Sequence, residues 1–176
     1  MPADWIHETR EYRAIAEHYG DRCARRSGVR LLQHIDEGIA LLRWLGADPL
    51  VQRAYCLHPI LQPDPELAAA ELSGLTPDPL VMALAMEYRS VANAYLSPMG
   101  ARDPADIRLS PLEAVNDMLR ADKVQNYKDF LRYHDKDHPR SAALRRYFQA
   151  WLARLGVDER FEGLVARLEE ELAPQD

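Results

Sequence analysis

Three residues on three separate stretches have the chemistry of a metal centre. His34 lies in LLQHIDEGIALL, His58 in LVQRAYCLHP and Asp122 in LRADKVQNYKDF. Imidazole nitrogens and carboxylate oxygens donate lone pairs. Two of the first with one of the second suit a divalent Zn, Mn or Fe ion and leave positions open for water. All three lie on or beside apolar faces. Val115, Met118, Leu119, Asp122, Asn126 and Phe130 recur at helical intervals and share one face. A carboxylate there is costly unless something pairs with it. No lysine or arginine falls on that face at the right spacing, so the partner of Asp122 is expected from elsewhere in the fold, or is a metal ion. His34 follows Leu31 by one turn, and Gly38, a turn later, leaves room beside the imidazole. His58 follows Ala54 and Tyr55 by one turn. A single buried histidine is more often held by a protein hydrogen bond than by a metal. Three such residues together favour the ion.

Other clusters carry weaker signals. Asp36 and Glu37 follow His34 directly and read as a solvated helix face. The alternative is that Glu37 serves as a base for a metal-bound water. The segment YHDKDHPR at 133–140 offers His134 and His138 but reads as a helix end and turn. Asp122 and His134 would lie about 18 Å apart along a straight helix, too far to share an ion. Tyr88, Arg89 and Asn93 suit packing and internal hydrogen bonds, or the lining of a base pocket.

RRSG at 25–28, then His34, then His58, then ADKVQN at 121–126 resemble, in order and spacing, the HD-domain superfamily of metal-dependent phosphohydrolases. More narrowly, they resemble the hydrolase domain of RelA/SpoT-type (p)ppGpp enzymes. The resemblance spans about residues 22–131. It implies an HD-like helical fold with His34, His58 and Asp122 as ligands of a divalent metal ion. It also implies that Arg25, Arg26 and Ser27 approach a nucleotide, and that Asn126 contacts its sugar or phosphate side. The family carries HDxxED where residues 58–63 here read HPILQP. Pro59 stands in place of a fourth ligand, and Gln62 and Pro63 replace the acidic pair that activates water. Proline is also expected to end the helix near His58. Asp64, one position beyond the pair, would partly compensate if the backbone bulges; Glu37 is the other candidate for managing the water. Two readings stay open. A three-ligand site would retain an ion able to activate water. Loss of the acidic groups would instead leave a catalytically inactive module that binds a nucleotide or a protein partner. Oxygen chemistry at iron is a third use of the same ligand set.

The elements that must position these residues are well punctuated. Asp48-Pro49, Asp64-Pro65, Asp78-Pro79 and Ser110-Pro111 each offer an N-cap followed by proline at the first helical position. Gly20, Gly46, Gly74, Gly100 and Gly156 sit where helices should stop. The patterns between predict helices at about 4–19, 29–45, 49–58, 65–73, 79–97, 111–134, 139–155 and 158–172. No segment reads as a strand. The expected fold is all-α, a single domain over 1–176 of about eight helices with short connections, with 173–176 as a frayed tail. Helix 79–97 is apolar over much of its circumference and is expected at the centre. The aromatics of 139–155 are expected in the core, and loop 98–110 as a pocket rim.

Net charge is −6 and no basic tract stands out, which argues against binding a nucleic-acid backbone. No apolar run approaches the roughly 20 residues needed to span a bilayer, so no membrane partner is expected. Two cysteines without CxxC, and an N-terminus without a signal pattern, suggest a cytoplasmic protein. The expected partner is a small nucleotide or phosphate ester. An exposed face of the 139–172 helices would allow a homo-oligomer.

Overall fold

Capping and amphipathic signals resolve into helices in the expected order. A computed structural model describes residues 5–25, 27–95, 103–136 and 138–171. The helices are α1 (Arg10–Tyr19), α2 (Leu31–Trp44), α3 (Pro49–Leu61), α4 (Asp64–Ala69), α5 (Leu72–Leu75), α6 (Pro79–Asn93), α7 (Glu113–Tyr133), α8 (Ser141–Leu155) and α9 (Phe161–Glu171). Short 3-10 turns occur at Trp5–Glu8 and Pro104–Asp106. Asp48 and Asp78 cap α3 and α6 by accepting from the amides of Leu50 and Leu80, with proline entering the first turn of each. Gly156 ends α8 in the left-handed conformation, which relieves the last carbonyls of that helix. No strand occurs among the described residues, where only an isolated bridge joins Cys23 to Arg30. The fold is all-α and forms one domain around one core. The expected tail at 173–176, and residues 98–102 of the expected rim at 98–110, lie outside the described residues.

Three local expectations are corrected. The segment 65–73 is not one helix but two short ones, α4 and α5. The helix around His58 does not stop at Pro59; it runs on to Leu61. Its open end is held by α6, where Arg89 Nε donates to the Leu61 carbonyl at 2.9 Å and Asn93 Nδ2 to the Gln62 carbonyl at 3.0 Å. Nor is α6 the central helix. It buries one stripe, Val81, Ala85, Tyr88 and Ala92, while Leu80 is exposed. The centre is formed by α3 and α7. α3 packs on α1, α2, α4, α6 and α7, and α7 packs on α2, α3, α6, α8 and α9. The reason is polar pairing. α7 buries Asp122, Lys123, Gln125 and Lys128 along with its apolar positions, because these groups satisfy one another and α2. Trp151 of α8 is fully buried, as expected for its aromatic face. No helix among the described residues is long and apolar enough to cross a membrane.

Candidate metal centre

α2, α3 and α7 each bring one predicted ligand to a common point. His34 Nε2 lies 3.1 Å from His58 Nε2. Asp122 Oδ1 lies 3.5 Å from the first and 3.7 Å from the second. His58 and Asp122 are buried, while the His34 side chain keeps 21% of its surface exposed and opens the group to solvent. The rings of Tyr55 and Tyr88 flank His58, with centroids 4.4 and 5.0 Å away. Burial, reinforced by the Asp122 charge, raises both phenols well above their ordinary range, so they stay protonated. The room that Gly38 provides is taken by Tyr55. A Cβ at position 38 would meet the Tyr55 hydroxyl and ring carbons at 2.2–2.3 Å.

Hydrogen bonds behind the site fix which nitrogen of each histidine faces inward. His58 Nδ1 lies 2.6 Å from the Tyr55 carbonyl, which can only accept, so Nδ1 carries the hydrogen. His34 Nδ1 lies 2.6 Å from Gln125 Oε1. The Gln125 amide is oriented by its own donor, because Nε2 reaches Glu37 at 3.1 Å and Asp129 at 2.8 Å, both carboxylates. Gln125 Oε1 is therefore an acceptor, and His34 Nδ1 also carries the hydrogen. With each Nδ1 so occupied, Nε2 is the nitrogen that His34 and His58 turn toward each other and toward a carboxylate oxygen. Two ring nitrogens and a carboxylate oxygen converge, a donor set that suits a divalent cation. The separations fit one. A point equidistant from the three atoms lies about 2.0 Å from each, within the range of about 2.0–2.2 Å for zinc–nitrogen and zinc–oxygen bonds. Among the described residues this is the group of His, Cys, Asp and Glu able to hold a metal ion.

Protonation agrees with the geometry. Burial, with the neighbouring His34, pushes His58 down to about 3, so it is neutral at physiological pH. Burial alone would raise the Asp122 carboxyl, but the Lys123 ammonium, with His58 and His34, holds it below the usual carboxylate range. Lys123 Nζ meets Asp122 Oδ2 at 2.8 Å, and Asn126 Nδ2 donates to Oδ1 at 2.8 Å. The partner that Asp122 lacks by helix spacing is thus the next residue in the chain. Neighbours at i and i+1 do not face each other on a helix, so spacing rules miss this pair. The long lysine stem bends back, and its ammonium sits 5.2 Å from the Trp151 ring centroid.

The remaining candidates are distributed unevenly. Glu37 is buried, against the reading of a solvated face, and is held by Gln33, Gln125 and Lys128. It acts on His34 through Gln125, in the manner of a carboxylate that orients a ligating histidine. Asp36 accepts from the Tyr12 hydroxyl at 2.7 Å. Asp64 lies outside the three-residue group; its side chain is 86% exposed and paired with Arg89. Arg25 is exposed on the turn before α2, and Ser27 Oγ accepts from the Val29 amide at 3.3 Å. Arg26 lies outside the described residues. Asn126 is next to the group through Asp122. His134 caps the end of α7 and does not belong to it. Sequence reasoning missed Lys123, Gln125 and Lys128. ADKVQN places the first two beside Asp122, but nothing in it marks them as buried.

No protein-family model, curated protein or solved structure gives a match to the chain.

Proposed function

We propose that the chain is a metal-dependent phosphohydrolase of the HD type, acting on a nucleotide or related phosphate ester, with (p)ppGpp-like molecules among the substrates to try first. One observation carries the reading: Nε2 of His34, Nε2 of His58 and Oδ1 of Asp122 meet at metal-ligand separations, with each Nδ1 held from behind by an acceptor. A divalent ion bound there supplies Lewis acidity and an activated water without a side-chain base. His34, His58 and Asp122 hold it. Gln125, backed by Glu37, orients His34. Charge balance supports an anionic substrate. The Asp122 charge is already offset by Lys123, so a divalent ion would leave the group positive and favourable to phosphate. Arg25, exposed on the turn before α2, adds positive charge, and Asn126 offers a polar contact. The order and spacing of RRSG, the two histidines and ADKVQN support the same substrate class.

A second reading, a non-catalytic nucleotide- or protein-binding module, is favoured by the Lys123–Asp122 pair and by the absence of the acidic residues after His58. Elemental analysis separates the two. Wild-type protein is expected to hold about one equivalent of Mn, Zn or Fe, as a three-ligand site should, and His34→Ala to hold none. His34 is the better target because removing Asp122 would strand Lys123. Hydrolysis of nucleotides and hyperphosphorylated guanosines by the loaded wild type, absent in His34→Ala, completes the test. No uptake of any of the three metals would sink the enzyme reading in favour of the module, whose nucleotide binding would persist in chelator.

A further inference from the structure

Pro59 occupies the position where the resemblance would put an acidic ligand, and it stands inside α3. A proline in a helix has no amide hydrogen, so the carbonyl four residues earlier loses its helical donor. That carbonyl belongs to Tyr55. It is the same atom that His58 Nδ1 approaches at 2.6 Å. We propose that Pro59 is a positioning residue of the metal centre: by withholding a backbone hydrogen it leaves the Tyr55 carbonyl to His58, and so fixes the imidazole as an Nε2 ligand. The proposal rests on the metal reading above, but the hydrogen-bond exchange within α3 does not depend on an ion being bound.

The consequences follow from one carbonyl and two rival donors. With proline at 59, Nδ1–H of His58 is the donor aimed at Tyr55 O, and the ring can neither rotate nor change tautomer without leaving that buried acceptor unpaired. With any other residue at 59, the backbone amide takes its ordinary helical bond to the same oxygen. His58 then shares the acceptor or loses it, and Nε2 acquires the hydrogen in part of the population. A protonated Nε2 cannot ligate. The helix tolerates the proline because α6 braces the turn beyond it, through Arg89 on the Leu61 carbonyl and Asn93 on the Gln62 carbonyl. The histidine before a proline thus gains for its ring what the backbone gives up.

The test uses Pro59→Ala in the full chain, with Pro63→Ala as a control at a proline outside α3. Zinc affinity is measured by chelator competition, and the ring-nitrogen spectrum of His58 is recorded by NMR in metal-free protein. Wild type is expected to show a hydrogen on Nδ1 and a bare Nε2. Pro59→Ala is expected to show a mixture and to bind zinc about 10- to 100-fold more weakly, the usual cost of losing a partner behind a ligating histidine. Its thermal midpoint is expected not to fall, since a helix-interior proline has been removed. Pro63→Ala is expected to match wild type in tautomer and affinity. An unchanged tautomer in Pro59→Ala overturns the proposal, whatever happens to affinity, and so does an unchanged affinity for zinc. Wild type that binds no zinc, yet changes tautomer on Pro59→Ala, overturns the metal reading and leaves the hydrogen-bond exchange standing.

Discussion

At the scale of the residue, the molecule turns on how Asp122 is compensated. It is an ion-pair partner through Oδ2 and a ligand candidate through Oδ1. Truncation therefore does two things at once. Asp122→Ala should cost about 3–5 kcal/mol in urea denaturation, because it leaves the buried Lys123 ammonium without its counter-ion. Asp122→Ala combined with Lys123→Met should recover most of that loss without restoring any metal, since both charges are gone. A double variant no more stable than the single would mean that Lys123 is satisfied elsewhere. The three residues that meet were legible in the sequence because each is a polar residue of ligand type on or beside an apolar face. Their supports were not. Lys123 lies at a spacing that an ideal helix turns away, and Lys128 reaches Glu37 across 91 residues of chain, a separation no periodicity rule connects.

At the scale of the element, the distance between α2 and α3 decides whether the two histidines meet. Gly38 lets the Tyr55 ring lie against the α2 backbone, and the ring in turn packs on His58. In an exposed helix, replacing glycine by alanine gains about 1 kcal/mol from propensity. Here the added methyl group would overlap a buried ring. Gly38→Ala is expected to destabilise by about 1–3 kcal/mol, as overpacking does, and to weaken metal binding by spreading the histidines. A stabilised variant with normal affinity would show that Tyr55 moves aside freely. The starts of α3 and α6 and the end of α8 were legible in Asp48-Pro49, Asp78-Pro79 and Gly156, whereas Asp64 falls inside α4 and Gly74 inside α5. The end of α3 was not legible, because proline was read as a stop signal when neighbouring α6 supplies donors for the carbonyls beyond it. The placing of α6 erred for a related reason: apolar content marks a helix as buried, whereas α7 reaches the centre through polar groups that satisfy one another.

At the scale of the whole molecule, a second buried network holds α1, α3 and the start of α6 together, away from the histidines. Arg53 donates to Glu11 at 2.8 and 3.2 Å and to Asp78 at 3.1 Å, and the Thr76 hydroxyl also donates to Glu11. Burial would raise the Glu11 carboxyl, but Arg53 and Thr76 hold it below its ordinary value of 4.5. The folded state therefore takes up this proton less readily than the unfolded chain. The stability that Glu11 contributes is complete above about pH 4.5 and is lost as pH falls through the lower folded value. Glu11→Gln should flatten that acid limb in urea titrations. At neutral pH it should cost about 2–3 kcal/mol, less than a fully buried pair because Arg53 keeps 23% of its side chain exposed. An acid limb unchanged by the substitution would place the sensitivity elsewhere. Glu11 itself was not singled out in the sequence, since its partners lie 42 and 65 residues away.

Because His34, His58 and Asp122 come from helices far apart in the chain, their geometry exists only when α2, α3 and α7 are assembled. An unfolded chain would offer the same side chains separately and hold an ion far more weakly. An ion bound there would couple occupancy to folding by mass action: each tenfold excess of free ion over its dissociation constant would add about 1.4 kcal/mol to the folded state. Metal supply would then set how long the protein survives as well as whether it works, and starvation for the ion would appear first as loss of the protein itself.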